Sequence, residues 1–243
     1  MLNLKQLLIL PVVLCALSVT QVLCHADPVA DWHMFERAVR DGTLAKPEAH
    51  IQLPSVVNNL HTSYVVQISA PPMRWTFPVQ GYDLRAVNRS DFKPHSRYGP
   101  KNVKGYDFFD GNQHGGHPAF DICIHDKNHD LRDDRTGKLV NAVAMTDAIV
   151  VSVCREWSTN KLLRGGNYVW LYNPSINYFF YYAHLNEVLV EEGTLLKAGD
   201  VVGTIGRTGL LASRKASPTH VHLMVLKYYN GKMIPIDYYA HLQ

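Results

Sequence analysis

Runs of apolar and aromatic residues dominate the second half of the chain and predict a β-rich structure. Glycine, asparagine and aspartate turns separate the runs, and there is little helical periodicity between Val140 and Tyr229. The short stretch EVLVEEGTLLKAGD is the exception. The pattern therefore predicts a mainly β fold, with a compact antiparallel sheet over residues 73–243 that is strand-like from Trp75 onwards. The strand-like runs are rich in β-branched or aromatic residues: MTDAIVVSV, NYVWLYN, YFFYYAHL, VVGTIG and HVHLMVLKYY.

Residues 27–72 have a different pattern and predict a short preamble to this sheet. The segment DWHMFERAVR places Trp32, Phe35 and Val39 on one face, as expected for a short amphipathic helix. A strand-like patch, SYVVQIS, follows, and the pair Pro71-Pro72 indicates a natural boundary. We expect a helical or extended strap that packs on the β domain.

The first 26 residues have the pattern of an export signal. Lys5 precedes an apolar run of about 17 residues, which is at the short end of the roughly 17–25 needed to span a bilayer. Small residues then appear at Cys24 and Ala26, so we expect a signal peptide over 1–26 that is cleaved after Ala26. This predicts a protein of the periplasm, cell envelope or medium without a transmembrane anchor. A membrane anchor and a lipoprotein modified at Cys24 are the alternatives.

The composition excludes several classes of protein. The chain has 243 residues, 47% of them hydrophobic and 19% charged, which argues against a disordered, collagen-like or disulfide-scaffold protein. The net charge of +3 comes without a lysine- or arginine-rich run, so nucleic acid is not an expected partner. The 13 histidines are more informative, because histidine is the commonest metal ligand among side chains and the usual acid or base.

The cysteines leave two interpretations open. After removal of the signal, the chain keeps Cys123 and Cys154, both in β-like runs. An even pair in an oxidising compartment can form a disulfide. Two buried free thiols that behave as small hydrophobic side chains are the alternative.

Three short patterns bring histidine and carboxylate side chains together at strand spacing. In GGHPAFDICI, His117 and Asp121 lie four residues apart, and His220 and His222 lie two apart in HVH. Even spacing on a strand directs both side chains of a pair to one face. His184 follows the aromatic run YFFYYA. A hydrolytic zinc site needs three protein ligands, an open position for water and a group that moves a proton. Spacing alone does not say which histidines are ligands.

Taken in order, these patterns resemble the lysostaphin-type zinc peptidoglycan endopeptidase family, whose members carry LytM-like metallopeptidase domains. The motifs are GHPAFD, YAHL and HVH, with the glycine-containing stretch VVGTIGRTGLLASRKASPT before the last of them. The similarity covers roughly Trp75 to Tyr229. It implies an antiparallel β fold with its site in an open groove, one zinc ion per chain, and hydrolysis of peptide bonds in peptidoglycan stems or cross-links.

The resemblance also implies a role for each site residue. Carried over position by position, His117, Asp121 and His222 match the zinc ligands, and His184 and His220 match the two catalytic histidines that face the substrate. Peptidoglycan is then the expected partner. Two other functions stay open: a non-enzymatic relative that binds and activates another cell-wall hydrolase, and a zinc peptidase that acts on proteins or small peptides.

The segment DKNHDLRDDRTG offers a second, weaker cation pattern. Asp126, Asn128 and Asp130 have the spacing of a calcium loop. However, Leu131 occupies the position where such loops have glycine, and Gly137 occupies that of the final glutamate. We therefore expect a solvated hairpin insertion here, with a calcium site as the alternative.

Overall fold

A computed structural model describes residues 27–97, 101 and 103–242 of the protein. The predicted signal peptide, residues 1–26, lies outside the described residues. Within the described ranges, no helix combines the length and the apolar character that crossing a bilayer requires.

The core of the fold is one sheet in which every pairing between strands is antiparallel. Its main path runs β1-β8-β5-β4-β3-β6, β7 joins β2 to β5, and β9 pairs with β8. All five apolar runs form strands, so the predicted antiparallel β fold is confirmed. The strands are β1 (Ala119–Cys123), β2 (Asn141–Val143), β3 (Ala148–Cys154), β4 (Asn167–Asn173), β5 (Tyr178–Val188), β6 (Leu195–Leu196), β7 (Val201–Ile205), β8 (His220–Tyr229) and β9 (Lys232–Pro235).

The expectation of strands from Trp75 onwards is wrong for the segment that precedes β1. Its described residues form loops and short 3-10 turns with isolated β-bridges. The side chains of Asp83, Asn88 and Asp107 each accept a hydrogen bond from the backbone N–H two residues further on. Aspartate and asparagine favour such turns over strands because their side chains compete for backbone groups. The stretch EVLVEEGTLLKAGD, the exception to the β pattern, contains no helix and is the end of β5, turns and β6.

The preamble contains two helices, α1 (Pro28–Arg40) and α2 (Lys46–Tyr64). The predicted helix α1 is confirmed. It begins at Asp27, whose carboxylate accepts hydrogen bonds from two backbone N–H groups of the first turn. Helix α2 was not predicted, and the strand-like patch SYVVQIS is the end of α2 and the turn after it. A stripe of buried side chains at helical spacing explains α2: Ala49, Leu53, Val57 and Leu60.

The two helices pack on one face of the sheet. The indole of Trp32 in α1 is fully buried and stacks on Phe179 of β5, with the ring centroids 4.3 Å apart. The opposite face is covered by the segment before β1 and by the C-terminal residues, through side chains such as Trp75, Val79 and Tyr238. The sheet is therefore buried on both faces.

We expect Trp32→Ala to lower the free energy of unfolding by about 3–5 kcal/mol, because truncating a buried tryptophan leaves a cavity. Met34 on the same helix is 44% exposed, so Met34→Ala serves as the control and should cost less than about 1 kcal/mol. Urea unfolding followed by circular dichroism measures both. Equal losses in the two variants would contradict the packing of α1 on the sheet.

The two cysteines lie on strands that are far apart. β8, β5 and β4 separate β1, which carries Cys123, from β3, which carries Cys154. At about 4.8 Å per strand, their Cα atoms are at least about 19 Å apart, whereas a disulfide requires less than about 7 Å. Both are free thiols. This rules out the intramolecular disulfide that the sequence left open.

Candidate metal centre

The structure brings all five predicted site residues together at one end of β1, β5 and β8. Strand register explains this, because Asp121 lies opposite His222 across β1 and β8, and His222 lies opposite Ala183 of β5. His184 is the next residue of β5. Its ring centroid lies 4.8 Å from that of His220 and 5.6 Å from that of His222.

Two imidazoles and one carboxylate converge as a possible set of metal ligands. His117 Nε2 lies 3.2 Å from Asp121 Oδ2, and His222 Nδ1 lies 2.9 Å from Asp121 Oδ1. One donor atom from each residue falls within 4.8 Å of the others, and the described residues contain no second group of this kind. Ligands about 2.0–2.2 Å from zinc in a tetrahedron lie roughly 3.3 Å apart, and hydrolytic zinc sites use such nitrogen and oxygen donors. The three residues therefore fit zinc.

A backbone carbonyl orients the first of these imidazoles. His117 Nδ1 lies 2.7 Å from the carbonyl oxygen of Asp91. Because a carbonyl only accepts, the ring donates from Nδ1 and presents Nε2 to the centre. Carbonyl groups in this position commonly fix the tautomer of metal-binding histidines.

Two of the three residues hold the ionisation state that metal binding requires. Burial acts to raise the pKa of Asp121, but hydrogen bonds with His117 and His222 outweigh it and hold that pKa well below its usual range. Burial lowers the pKa of His222 below its ordinary value, which keeps this ring neutral and able to donate an electron pair. An ionised carboxylate and a neutral imidazole are the forms that bind a metal.

The other two histidines present their Nε2 atoms to the centre. His184 Nδ1 lies 2.8 Å from the carbonyl oxygen of Thr208, and His220 Nδ1 lies 2.8 Å from that of Pro218. Each ring therefore donates from Nδ1 and, when neutral, has an acceptor at Nε2. Burial, helped by His220 and His222, holds the pKa of His184 well below its ordinary value. His184 is thus unprotonated at neutral pH and can accept a proton.

Close contacts with the backbone and with His184 explain the glycines in the stretch before HVH. A Cβ atom on Gly203 or Gly206 would lie 2.3 or 2.4 Å from backbone atoms of β5. A Cβ atom on Gly209 would lie 2.9 Å from Nδ1 of His184, and Gly209 has a φ of +113°. These glycines therefore allow the chain to pass close behind His184.

Residues 133–235, which are less than half of the chain, match the sequence model of peptidase family M23. The resemblance found from the motifs is thereby confirmed. The matched region includes His184, His220 and His222, whereas His117 and Asp121 precede it and join it through the pairing of β1 with β8. No curated protein sequence matches the chain.

Several solved structures align with parts of the chain. A Ruminococcus gnavus ATCC 29149 protein called lytM is 29% identical, over 43% of this chain and 40% of that one, with a TM-score of 0.35. A zinc containing peptidase from Vibrio cholerae is 20% identical, over 72% of this chain and 40% of that one, with a TM-score of 0.40. The catalytic domain of lysostaphin from Staphylococcus simulans is 20% identical, over 57% and 82%, with a TM-score of 0.36. The alignments thus span two fifths of the length of the first two proteins.

The calcium-like segment is a hairpin, closed by a bridge between Arg132 and Leu139. The carboxylate of Asp126 accepts hydrogen bonds from the N–H groups of Asp130 and Leu131 and from the hydroxyl of Thr219, at 2.6–3.1 Å. Asp126 therefore stabilises the turn. The hairpin that we expected is present, and its carboxylates do not form a metal-binding group among the described residues.

A cavity of about 240 Å³ extends from the metal centre towards α1. Sequence reasoning missed several of its lining residues, because they come from separate elements and follow no local motif. Burial, together with Arg164, lowers the pKa of the lining residue His114 to about 4, so this ring is neutral. Arg164 donates a hydrogen bond to the carbonyl oxygen of His114 at 2.7 Å. The missed residues are Glu36, Arg40, Tyr106 and Arg164, and His114 and Tyr181 also line the cavity.

We expect the free energy of unfolding of Glu36→Gln, relative to that of wild type, to increase as the pH rises from about 4 to about 7. Burial raises the pKa of Glu36 above its ordinary value, despite the nearby charge of Arg40 and hydrogen bonds from Tyr168 and Ser152. A raised pKa means that ionisation costs folding stability as the pH passes from the unfolded-state value through the folded-state value. Glutamine does not ionise. Urea unfolding of both metal-free proteins at the two pH values measures the shift, and a constant difference would contradict it.

Proposed function

We propose that this protein is an exported zinc metalloendopeptidase that hydrolyses peptide bonds in peptidoglycan stems or cross-links. The observation that carries the proposal is the zinc-compatible group of His117, Asp121 and His222 directly beside His184 and His220, in a domain of a peptidase family. Peptidoglycan as substrate is supported by the lysostaphin-type motifs, and export by the pattern of residues 1–26. We assign the peptidase domain to 73–243 and the strap to 27–72.

Each site residue has a distinct task in this reaction. Bound zinc would supply a Lewis acid for the scissile carbonyl and a water whose pKa is about 7. His117, Asp121 and His222 would hold the ion. His184 accepts the proton of the attacking water at Nε2. His184 then passes this proton from Nε2 to the leaving amine. His220 presents its own Nε2 beside it and, in its protonated form, donates to the negative charge on the carbonyl oxygen.

Purified sacculi provide the test. We expect the protein to release new amino termini from sacculi, and mass spectrometry of the products identifies the bond that is cleaved. An unfolded protein serves as the competing substrate and should stay intact. Cleavage of that substrate instead would favour a peptidase for proteins. A zinc-free protein that cleaves neither would favour the non-enzymatic activator.

A further inference from the structure

The cavity next to the metal centre contains a buried carboxylate that the proposed reaction does not use. Glu36 of α1 is only 5% exposed, yet it lines the same cavity as the site histidines. Its oxygens accept hydrogen bonds from the hydroxyls of Tyr168 at 3.0 Å and Ser152 at 3.2 Å. In the described part of the chain, no lysine, arginine or histidine nitrogen forms an ion pair with it.

Arg40 is the cation whose charge acts most on Glu36, but its guanidinium is engaged elsewhere. Its Nε and Nη2 donate to the carboxylate of Asp41 at 2.7 and 2.6 Å, and its Nη1 donates to the hydroxyl of Tyr168 at 2.6 Å. Burial therefore outweighs Arg40 and raises the pKa of Glu36. A buried carboxylate without a paired cation destabilises a fold, so such a group is a candidate for function.

Aromatic rings line the cavity beside this carboxylate. Trp170 is 4% exposed, and its indole N–H lies close enough to the Glu36 carboxylate to lower the pKa of that group. The ring centroids of Tyr181 and Trp170 lie 4.6 Å apart. The apolar side chains of Val39, Phe108 and Met224 also line the cavity. Aromatic faces attract cations and pack against aliphatic chains. An apolar, aromatic cavity with a carboxylate in its wall matches a long aliphatic side chain that ends in an ammonium group.

The sheet sets the distance from this wall to the metal centre. Trp170 lies opposite Tyr181, which lies opposite Met224, two residues along β8 from His222. Two residues and two strands correspond to about 12 Å between the Cα atoms of Trp170 and His222. A lysine-like side chain spans about 6 Å from Cα to its ammonium group. The side chains of Trp170 and His222 occupy part of the remaining distance between their Cα atoms. Because the Trp170 indole lies beside Glu36, the side chain of a residue next to the scissile bond is long enough to extend from the metal centre towards Glu36.

We propose that this part of the cavity binds the ammonium group of a basic diamino acid residue in the substrate, with Glu36 as counter-ion and Trp170 and Tyr181 against the aliphatic stem. The proposal rests on the proposed function for the identity of the substrate as a peptide. Binding of the ammonium group itself is independent of catalysis. Glu36 is then a specificity-determining residue that α1 contributes to the peptidase groove.

The test is a calorimetric titration of the purified protein with two probes, Nα-acetyl-L-lysine amide and Nα-acetyl-L-norleucine amide. The second probe has the aliphatic stem without the ammonium group. Wild type should bind the lysine probe at least about tenfold more tightly than the norleucine probe, and Glu36→Gln should weaken lysine binding by about 10–100-fold. Glu48→Gln, at an exposed position on α2, is the matched control and should bind both probes as wild type does.

Three results would overturn the proposal: equal affinity of wild type for the two probes, no binding of the lysine probe at millimolar concentration, or unchanged lysine binding by Glu36→Gln. If Glu36→Gln does not fold, the comparison of the two probes on wild type decides alone. The sacculus assay is separate. Its failure would contradict the proposed function and leave the probe result standing, whereas cleavage of sacculi without lysine preference would overturn the ammonium site alone.

Discussion

Asp121→Ala is expected to lose both zinc and activity. Asp121 is the anionic member of the three-residue group, and its oxygens contact His117 and His222 at 3.2 and 2.9 Å. Its removal leaves a divalent cation with two neutral imidazoles. Loss of a residue that hydrogen-bonds to a metal ligand costs about 10–100-fold in metal affinity. Loss of a ligand itself should therefore cost more than 100-fold.

Metal analysis after dialysis at sub-micromolar free zinc, beside turnover on sacculi, measures this loss. Asp130→Ala is the control, because Asp130 is exposed on the calcium-like hairpin and should be dispensable for zinc. An Asp121→Ala protein that keeps one zinc per chain would show that the ligand set is wrong. Loss of zinc from Asp130→Ala would revive a metal role for the hairpin.

His184→Ala and His220→Ala should each keep zinc and lose about 10²–10⁴-fold in turnover, the scale of a general base or of a donor to developing charge. Both rings present Nε2 to the centre, and both are fixed by backbone carbonyls rather than by Asp121. The double variant should be little worse than either single one, because groups that act in one step are not additive. His222→Ala should lose zinc.

Metal content and turnover, measured together on these variants, separate the roles. Zinc lost from His220→Ala but kept by His222→Ala would reverse the assignment of the two histidines. Zinc lost from His184→Ala would contradict the division between ligands and proton-transferring groups. A double variant whose loss is the product of the two single losses would argue that the histidines act in separate steps.

The apolar runs predicted five of the strands, and the motifs predicted the five residues that meet at the centre. Spacing did not distinguish His220 from His222. Strand spacing directs both side chains to one face, and the difference arises from register with another strand. β1 places Asp121 opposite His222, whereas His220 Nε2 lies 3.8 Å from Asp121. Register depends on pairing across 101 residues of chain, which a local pattern does not contain.

The end of α2 shows a second limit of prediction from local sequence patterns. SYVVQIS is rich in β-branched residues, yet α2 ends at Tyr64, and Val65, Val66 and Ile68 lie in the turn that follows. A short β-branched run is therefore not sufficient evidence for a strand. Glu36 was missed for a related reason. It belongs to a helix that the pattern did predict, but its place in the cavity follows from α1 packing on the face of the sheet that carries the metal centre.

The most direct test of the zinc peptidase assignment is to titrate zinc back into the chelated protein while counting amino termini released from sacculi. The geometry of His117, Asp121 and His222 predicts no activity without metal, a linear rise on addition of zinc, and a plateau at one zinc per chain. Full release of amino termini by the chelated protein would contradict the assignment, as would a protein that binds one zinc per chain and releases none.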